Sequence, residues 1–310
     1  MHLFVTGGSG QTGPAVVTEL IRAGHTVTGL ARSDAAAARL ESLGATPHRG
    51  SLDDLDSLRH GAEAADGVLH MAQGGSYADP DDLIRRDCEA IDALGQALVG
   101  TGKPFVSTSG TLVLKADQVS TELDPADPNS VAYFRIPGEQ TCLGFADRGV
   151  RASVVRLAPT VHGPRDHGFI PALIAGARRA GVSAYLGDGM NRWPAVHRDD
   201  AAVLFRLALE KAPAGSTLHG VGETVTIKSV AEKIAQLLDV RTASLTLEEA
   251  AEHLGNPFLA KFFSLDVPVS STPTQQLLGW TPHHATLLED LETGDYFSPE
   301  ASDRAEAVWR

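Results

Sequence analysis

The hydrophobic residues of this chain follow two spacings in turn, one typical of buried strands and one typical of amphipathic helices. Runs of apolar residues predict strands, which we place at 3–6, 26–31, 67–71, 104–108 and 152–156. Between the first two strands, Val16, Val17, Leu20 and Ile21 recur at helical spacing, and Gly24 follows where that helix should end. The same spacing predicts further helices at 34–43, 53–60 and 82–99, and one that ends before Gly149.

Polar residues mark the starts of two of these helices. Ser33 or Asp34 is placed to cap the helix at 34–43, and Asp53 lies near the N-cap of the next one. Strands that alternate with helices of this length indicate βαβ units and a parallel sheet, with right-handed crossovers that cover both of its faces. The pattern therefore predicts a doubly wound α/β domain over about the first 160 residues.

After Pro159 the regular alternation gives way to a segment rich in proline and glycine, which reaches as far as Gly189. Helical spacing returns at 199–209 and at 228–238, with a strand-like run at 217–220 between them. We interpret this half as a smaller lobe from which the chain returns once to the first domain. The predicted first domain consists of 1–165 with 194–220, and the predicted second lobe consists of 166–193 with 221–310.

Charge and cysteine content exclude several classes of partner. The formal net charge is −13, which repels phosphate backbones and anionic lipids, so we expect neither nucleic acid nor a membrane as a partner. No apolar run is long enough to span a bilayer, and the N-terminus enters a strand without a basic leader. Two cysteines are too few for a disulfide framework. We therefore expect a cytoplasmic protein that binds a small molecule, and the sequence leaves a homodimer open.

A glycine-rich segment lies between the first strand and the first helix. Gly7 permits a tight turn, Gly10 lets a pyrophosphate approach the backbone, and Gly13 lets the helix pack closely on the strand. The helix then offers free N–H groups and the positive end of its dipole to the phosphates. This context predicts a nicotinamide dinucleotide bound to a Rossmann fold. The loop residues that we assign to the cofactor are Thr6, Gly7, Ser9, Gly10, Gln11, Thr12 and Gly13.

The end of the second strand indicates which dinucleotide binds. A site for NAD usually has Asp or Glu about 20 residues after the glycines, where the carboxylate accepts a hydrogen bond from the ribose 2′-OH. This chain has Ala31 and Arg32 in that region, followed by Ser33. A guanidinium binds a 2′-phosphate, which a carboxylate would repel, and Ser33 adds a hydroxyl group. We therefore predict NADP(H) as the cofactor, with Arg32 and Ser33 at its 2′-phosphate.

Six segments, taken in order, resemble the extended or atypical branch of the short-chain dehydrogenase/reductase superfamily, whose members are epimerase/dehydratase-like. They are the TGxxGxxG loop at 6–13, the segment beside the adenine at 50–52, the hxHxA strand end at 69–72, the serine strand at 105–109, the RPxxVYGP motif at 156–164 and the xxVHVDD motif at 193–200. Ser51 replaces the usual acid, and His162 replaces the usual tyrosine. The resemblance implies further cofactor contacts at Ser51, Leu52, Met71, Ala72, Gln73, Thr108 and Pro159.

The resemblance also implies hydride transfer with three catalytic groups. In the family a Tyr hydroxyl acts as the general acid, a Lys four residues later lowers the pKa of that Tyr, and a Ser hydroxyl polarises the substrate carbonyl. Ser109 occupies the serine position. The segment expected to hold the Tyr and the Lys departs from the family pattern.

Two alignments of that segment are open. With Tyr133 as the acid, Pro137 stands in the lysine position, and proline supplies no cation. With Glu139 aligned to a glutamate that the family often has four residues after the lysine, Arg135 takes the lysine position and Val131 the tyrosine position. Neither alignment keeps the pair intact.

Two mechanisms follow from these alignments. In the first, Tyr133 is the acid and Arg135 or the cofactor ribose assists it, so that the catalytic residues are Ser109, Tyr133 and Arg135. In the second, the acid is another residue or water. His162 and His167 lie in the following loop, and a histidine titrates near neutral pH.

The resemblance implies a substrate pocket built mainly by the second lobe. Candidate substrate contacts are Gly74, which lies in a small polar loop at 73–76, together with His162, Phe169 and Trp193. We assign no metal ligands.

The leading interpretation is an NADPH-dependent reductase of a small or medium carbonyl compound. The first alternative is a nucleotide-sugar epimerase or dehydratase, in which Arg192 would hold a phosphate. The second alternative is a catalytically degenerate NADP(H) sensor, which the missing Tyr–Lys pair favours.

Overall fold

A seven-stranded parallel sheet forms the centre of the computed structural model, which describes residues 1–74, 79–298 and 301. The strands are β1 (His2–Thr6), β2 (Thr26–Ala31), β3 (Thr46–Arg49), β4 (Gly67–His70), β5 (Pro104–Gly110), β6 (Arg151–Leu157), β7 (Thr160–His162), β8 (Val182–Leu186), β9 (Arg192–His197), β10 (Ser216–Gly220), β11 (Glu223–Thr226) and β12 (Arg241–Leu245). The helices are α1 (Gly13–Arg22), α2 (Asp34–Ser42), α3 (Leu55–Glu63), α4 (Pro80–Gln96), α5 (Ile136–Leu143), α6 (Phe169–Ala180), α7 (Arg198–Lys211), α8 (Ile227–Leu238), α9 (Leu247–Leu254), α10 (Pro257–Phe263), α11 (Thr272–Leu278) and α12 (Leu287–Thr293).

The order of strands in the central sheet is β10-β6-β5-β4-β1-β2-β3, and every neighbouring pair is parallel. From β1 the chain moves outward to β3, and from β4 it moves outward in the other direction, so the order reverses between β1 and β4. At such a switch point the connections after the two strands turn to opposite faces and leave a crevice at the carboxyl edge of the sheet. The predicted doubly wound α/β fold is confirmed.

The alternation of side chains in β1 divides the core between the two faces of the sheet. Leu3 and Val5 are buried in a cluster that includes residues of α1 and α7, whereas Phe4 is buried in a second cluster with residues of α3 and α4. In α1 the buried side chains are Val16, Val17 and Leu20, at the predicted helical spacing. Helices therefore cover both faces of the sheet, which leaves its carboxyl edge for the site.

The third helix begins later than the sequence predicts. Its N-cap is Asp54, whose Oδ1 accepts a hydrogen bond from the N–H of Ser57 at 3.0 Å. Asp53, expected near the cap, instead forms an ion pair with Arg86 of α4. The two neighbouring aspartates thus have different roles, one as the cap of α3 and one as the partner of a cation in α4.

The helix α6 lies in the segment that the sequence predicts to be irregular. Pro171 is the third residue of this helix. The N–H groups of the first helical turn have no partner within the helix, so a proline there removes no helical hydrogen bond. A proline-rich segment is therefore compatible with a helix when the proline falls in its first turn.

Two small sheets lie beside the central one, in the orders β11-β9-β7 and β12-β8. Of the segment 194–220 that is predicted to return, residues 194–197 belong to β9, which pairs with β7, whereas α7 packs on α1 and β10 pairs with β6 of the central sheet. The exact limits of the two lobes remain a prediction.

Residues 75 and 76 of the polar loop predicted at 73–76 lie outside the described residues. In the part of the chain that is described, no helix combines the length and apolar character needed to cross a membrane.

Candidate active site

A cleft of about 670 Å³ opens at the carboxyl edge of the central sheet, at the switch point between β1 and β4. Its walls come from the loop after β1, the ends of β2, β4, β5 and β6, and the helices α6 and α10. The volume is typical of small-molecule and cofactor sites. Of the residues assigned to the cofactor from the sequence, those that line this cleft are Gly7, Ser9, Gly10, Gln11, Thr12, Gly13, Arg32, Ser51, Leu52, Met71, Ala72, Gln73, Thr108 and Pro159.

The three glycines of the loop after β1 meet different steric limits. Gly7 has φ +75°, and a Cβ at this position would lie 2.7 Å from the backbone N of Ala72. A Cβ on Gly13 would lie 2.3 Å from the carbonyl oxygen of Gly7, so no side chain fits between α1 and β1. A Cβ on Gly10 would meet only the carbonyl oxygen of Gly7, at 3.2 Å. The space over Gly10 is therefore free for a ligand that approaches the backbone.

The N-terminus of α1 faces the same space. Thr12 occupies the N-cap position, and its side chain makes no capping hydrogen bond. Thr12 and Gly13 both line the cleft. Pro14 has no N–H, so the N–H groups of Gly13 and Ala15 are the ones available to an anionic group, together with the positive end of the helix dipole.

Arg32 and Ser33 have different positions after β2. Arg32 lines the cleft, and within the described residues its guanidinium has neither an ion-pair partner nor a hydrogen-bond partner. Ser33 is the N-cap of α2 and its Oγ accepts a hydrogen bond from the N–H of Ala36 at 3.2 Å. Ser33 does not line the cleft. The structure therefore brings Arg32 to the cleft as predicted. Ser33, which is also predicted to be there, caps α2 instead.

Thr6 also differs from its predicted position. Its side chain is buried, its Oγ1 accepts a hydrogen bond from the N–H of Ala72 at 3.3 Å, and the same atom lies 2.8 Å from Nδ1 of His70. Thr6 is not part of the cleft lining. Its hydroxyl group joins the ends of β1 and β4 below the cleft, so its role there is structural.

Three hydroxyl groups near the end of β5 are buried and have no hydrogen-bond partner among the described residues. They belong to Thr108, Ser109 and Thr111, and all three residues line the cleft. Ser109 is only 6% exposed, and Thr111 is completely buried. A buried hydroxyl without a partner costs free energy, so such groups commonly serve a ligand. The sequence analysis missed Thr111, which its position two residues after Ser109 could have indicated.

Tyr133 lies outside the cleft, which corrects the first of the two predicted mechanisms. Residues Tyr133–Arg135 form a 3₁₀ turn just before α5. Phe134 and Arg135 line the cleft, whereas Tyr133 is 44% exposed on the outside. Pro137 explains this arrangement, because it stands in the first turn of α5 and the preceding residues form the tight turn that leads into the helix. This geometry therefore does not support Tyr133 as the acid in the cleft.

A buried ion pair fixes α5 on the central sheet. The Nε and Nη2 atoms of Arg156 in β6 donate hydrogen bonds to the two carboxylate oxygens of Glu139, at 3.0 and 2.7 Å. Such two-point pairs are strong and geometrically specific. The pair holds α5 in place, and Arg135, one turn earlier, remains at the cleft. The alignment that starts from Glu139, with Arg135 in the lysine position and Val131 in the tyrosine position, agrees with this arrangement.

His162, predicted to contact the substrate, is buried elsewhere. Its Nδ1 lies 2.9 Å from a carboxylate oxygen of Asp290, and its ring packs edge-on against His197 at 5.3 Å. His167 is outside the cleft lining as well, with its Nδ1 3.3 Å from the carbonyl oxygen of Arg165. Neither histidine is therefore in position to act as an acid in the cleft.

Trp193, also predicted to contact the substrate, belongs to the core of the second lobe. Its Nε1 donates a hydrogen bond to the carbonyl oxygen of Leu265 at 3.2 Å, and its ring stacks on Phe263 at 5.0 Å. Arg192 forms an ion pair with Asp266 at 2.7 Å and does not line the cleft. Arg192 is therefore not available to hold a substrate phosphate there.

Phe169 and Gly74, the other two predicted substrate contacts, do line the cleft. Phe169 belongs to an aromatic wall with Phe262 and Phe258 of α10. The rings of Phe169 and Phe262 stack at 5.8 Å, and the rings of Phe258 and Phe262 lie 4.2 Å apart. Phe134 lines the cleft too. This half of the cleft is thus mainly apolar.

Only three cations line the cleft in the described part of the chain, namely Arg32, Arg86 and Arg135. Arg86 is neutralised by Asp53, whose Oδ1 accepts a hydrogen bond from its Nε at 2.8 Å. Arg32 lies near the end of β2, far along the cleft from β5. Arg135 directly precedes α5, which packs on β5, the strand that leads to the buried hydroxyl groups.

One group of possible metal ligands lies away from the cleft. Side-chain atoms of Asp200, His283 and His284 lie within 4.8 Å of one another. The carboxylate of Asp200 already accepts hydrogen bonds from the backbone N–H groups of both histidines, and Nδ1 of His284 is 2.7 Å from it. These hydrogen bonds by themselves explain why the three side chains lie together. They attach the segment with His283 and His284 to the start of α7.

Comparisons with known proteins agree with this geometry. The model of the NAD dependent epimerase/dehydratase family matches residues 3–221. The protein named Uncharacterized protein C2A9.02 of Schizosaccharomyces pombe is 48% identical over 299 residues, which are 96% of this chain and 100% of that protein. The 2-alkyl-3-oxoalkanoate reductase of Stenotrophomonas maltophilia is 29% identical over 232 residues, which are 71% of this chain and 68% of the reductase.

A solved structure, MoeE5 in complex with UDP-glucose and NAD, resembles this chain with a TM-score of 0.73 and 25% identity. The similarity covers 94% of this chain and 97% of MoeE5. The resemblance therefore extends over both the central sheet and the second lobe.

The glycine loop gives a matched pair of substitutions. Gly10→Ala should leave the melting temperature near that of the wild type and weaken dinucleotide binding at least about tenfold, because its Cβ occupies the space of the pyrophosphate. Gly13→Ala should destabilise the fold by about 1–3 kcal/mol, because its Cβ overlaps the backbone of Gly7. Thermal unfolding and fluorescence titration with NADPH measure both. Equal effects of the two substitutions on binding and on stability would contradict these separate roles.

Proposed function

The chain belongs to the NAD-dependent epimerase/dehydratase family, and we propose that it is an NADP(H)-dependent reductase of a small or medium, mainly apolar carbonyl compound. The observation that carries the proposal is the pair of buried, unpartnered hydroxyl groups of Ser109 and Thr111 in the cleft. The family pattern has its catalytic serine on this strand, which supports the assignment of these hydroxyl groups to the substrate.

The cofactor half of the proposal rests on the glycine loop and on Arg32. The open space over Gly10 and the uncapped N-terminus of α1 suit a pyrophosphate. Arg32 stands where NAD sites have a carboxylate, and no described residue neutralises it, which favours the 2′-phosphate of NADP(H). When bound, the cofactor supplies or accepts the hydride.

In the substrate half, the chain orients the carbonyl group and stabilises its developing charge. Ser109 and Thr111 donate hydrogen bonds to the carbonyl oxygen, which satisfies two hydroxyl groups that otherwise have no partner. Arg135 provides the positive charge that lysine provides in the family pattern. We propose that these hydroxyl groups pass a proton from water to the oxygen; the described part of the lining contains no Tyr, Lys or His.

The aromatic wall sets the substrate class. Phe134, Phe169, Phe258 and Phe262 surround the space in front of the hydroxyl groups, and they favour an alkyl or aromatic substituent over a sugar. The relative from Stenotrophomonas maltophilia is by name a reductase of an alkyl-substituted oxo acid, which supports the same class for this chain.

The two alternative functions have less support. An epimerase or dehydratase needs a base to remove a hydroxyl proton from the sugar, and it needs cations for the diphosphate. The described lining contains one carboxylate, Asp53, which is paired with Arg86, while Arg192 is paired with Asp266 outside the cleft. A sensor without catalysis would not need two buried hydroxyl groups that lack partners.

Arg32→Ala should weaken the binding of NADPH by about 10- to 100-fold and leave the Kd of NADH within about threefold, because only NADPH carries the phosphate that the guanidinium pairs with. Fluorescence titration of both cofactors measures this. A matched control is Arg49→Ala, which removes a charge from β3 that is paired with Asp34 and does not line the cleft. Equal losses for NADPH and NADH in Arg32→Ala would overturn the assignment of NADP(H).

Ser109→Ala should lower kcat for NADPH oxidation with alkyl and aromatic aldehydes by about 100-fold, the usual effect of removing one donor to a developing oxyanion. Thr111→Val should lower it by roughly tenfold, and both variants should keep the wild-type Kd for NADPH.

The control for this pair is Tyr133→Phe, which removes a hydroxyl group outside the cleft and should retain full activity. A loss of turnover in Tyr133→Phe with full activity in Ser109→Ala would reverse the assignment of the donor groups.

A further inference from the structure

A buried aspartate connects the glycine loop with the C-terminal lobe. Asp166 lies between β7 and α6, and its side chain is almost completely buried. Its Oδ1 accepts hydrogen bonds from Nε2 of Gln11 and from the N–H of Gly168, both at 2.7 Å. Its Oδ2 accepts a hydrogen bond from the hydroxyl of Tyr296 at 2.8 Å. One carboxylate thus joins its own loop to two distant segments of the chain.

On the side of the cleft, the partner of Asp166 is a residue of the phosphate-binding loop. Gln11 stands between Gly10 and Thr12, and its side chain turns away to Asp166 and to the carbonyl oxygen of Val161, at 3.3 Å. The side-chain amide is therefore held by these two acceptors, and Gln11 is itself one of the residues that line the cleft. This anchor limits the rotation of the peptide groups on both sides of Gln11.

On the other side, the partner is Tyr296, close to the C-terminal end of the described chain. Its hydroxyl donates to Asp166 and accepts a hydrogen bond from the N–H of Gly163 at 3.3 Å. Tyr296 is itself buried, and burial is the main cause that raises the pKa of its hydroxyl. The C-terminal lobe therefore reaches the phosphate-binding loop through two hydrogen bonds in series.

A negative charge on the buried side chain of Asp166 destabilises the folded state. Burial raises the pKa of Asp166 to about 6, although hydrogen bonds from Gly168 and Tyr296 and the nearby His167 and His162 act in the opposite direction. An asparagine would offer the same acceptor to Gln11 and Gly168 without burying a charge. A neutral residue here would make the folded protein more stable. Ionisable residues that lower the stability of the fold in this way are more typical of functional sites than of cores.

We propose that Asp166 is a positioning residue for the cofactor, which holds the loop 10–12 through Gln11 and makes the C-terminal lobe part of that support through Tyr296. The inference rests on the proposed function, because it requires a dinucleotide at this loop.

A double-mutant cycle on the Kd for NADPH tests this coupling. Asp166→Ala and Gln11→Ala should each weaken binding by roughly tenfold, since either one removes the anchor of the loop. The double variant should also bind about tenfold more weakly, not about 100-fold, because the second substitution removes nothing further. Additive losses, or an unchanged Kd in Asp166→Ala, would overturn the inference.

The conservative variant separates positioning from a merely structural role. Asp166→Asn keeps the acceptor for Gln11, and its amide nitrogen can donate to the hydroxyl of Tyr296 instead of accepting from it, so its Kd for NADPH should stay within about threefold of wild type. Its melting temperature should exceed that of wild type at pH 8. Because burial raises the pKa of Asp166 to about 6, ionisation of its carboxylate above about pH 6 lowers the free energy of unfolding. This destabilisation disappears as the pH falls towards 4. Weak binding by a stably folded Asp166→Asn would contradict the proposed role.

Two controls complete the test. Asp147→Asn makes the same change of charge on an exposed turn before β6, at the opposite edge of the sheet, and should alter neither the Kd nor the melting temperature. Wild-type protein that binds neither NADPH nor NADH would overturn the proposed function itself. Wild-type binding that is insensitive to Asp166→Ala would overturn only the inference about Asp166.

Discussion

The close approach of α1 to β1 is the constraint on which the rest of the structure depends. The backbone of Gly13 lies so near the carbonyl oxygen of Gly7 that no Cβ fits between them. Because α1 can therefore start directly above the sheet, its N–H groups point into the crevice where the strand order reverses. The hydroxyl group of Thr6 joins the ends of β1 and β4 below this crevice, and the anchor from Asp166 to Gln11 supports the loop from behind.

The substrate half of the cleft departs from the family pattern for a local reason. Pro137 places the start of α5 close to a tight turn, and that turn directs Phe134 and Arg135 to the cleft and Tyr133 to the outside. The ion pair between Glu139 and Arg156 then fixes the helix in this position. Beside the hydroxyl donors of the cleft, the turn before α5 contributes one of the three cations of the described lining, Arg135, and that lining contains no tyrosine. This set of groups can stabilise negative charge on a carbonyl oxygen, whereas it offers no strong base to remove a proton from a sugar.

The sequence predicts the cofactor half of the site better than the substrate half, and the reason is physical. The glycine loop is local, so the spacing of Gly7, Gly10 and Gly13 is enough to indicate its geometry. By contrast, Tyr133 and Phe134 are neighbours, and only the packing of α5 determines which of them faces the cleft. His162 matched a family motif, yet its environment is set by Asp290, far away in the sequence. Interactions of that range leave no periodic pattern that a sequence alone can show.

The central claim is that the protein transfers a hydride from bound NADPH to the carbonyl carbon of a separate substrate. NADPH deuterated at the transferred position of nicotinamide C4, incubated with the enzyme and an alkyl or aromatic aldehyde, tests this claim most directly. The account predicts that mass spectrometry finds one deuterium on the new alcohol carbon for each NADPH oxidised. Retention of the deuterium in the cofactor, with an isomerised or dehydrated sugar nucleotide as product, would contradict it.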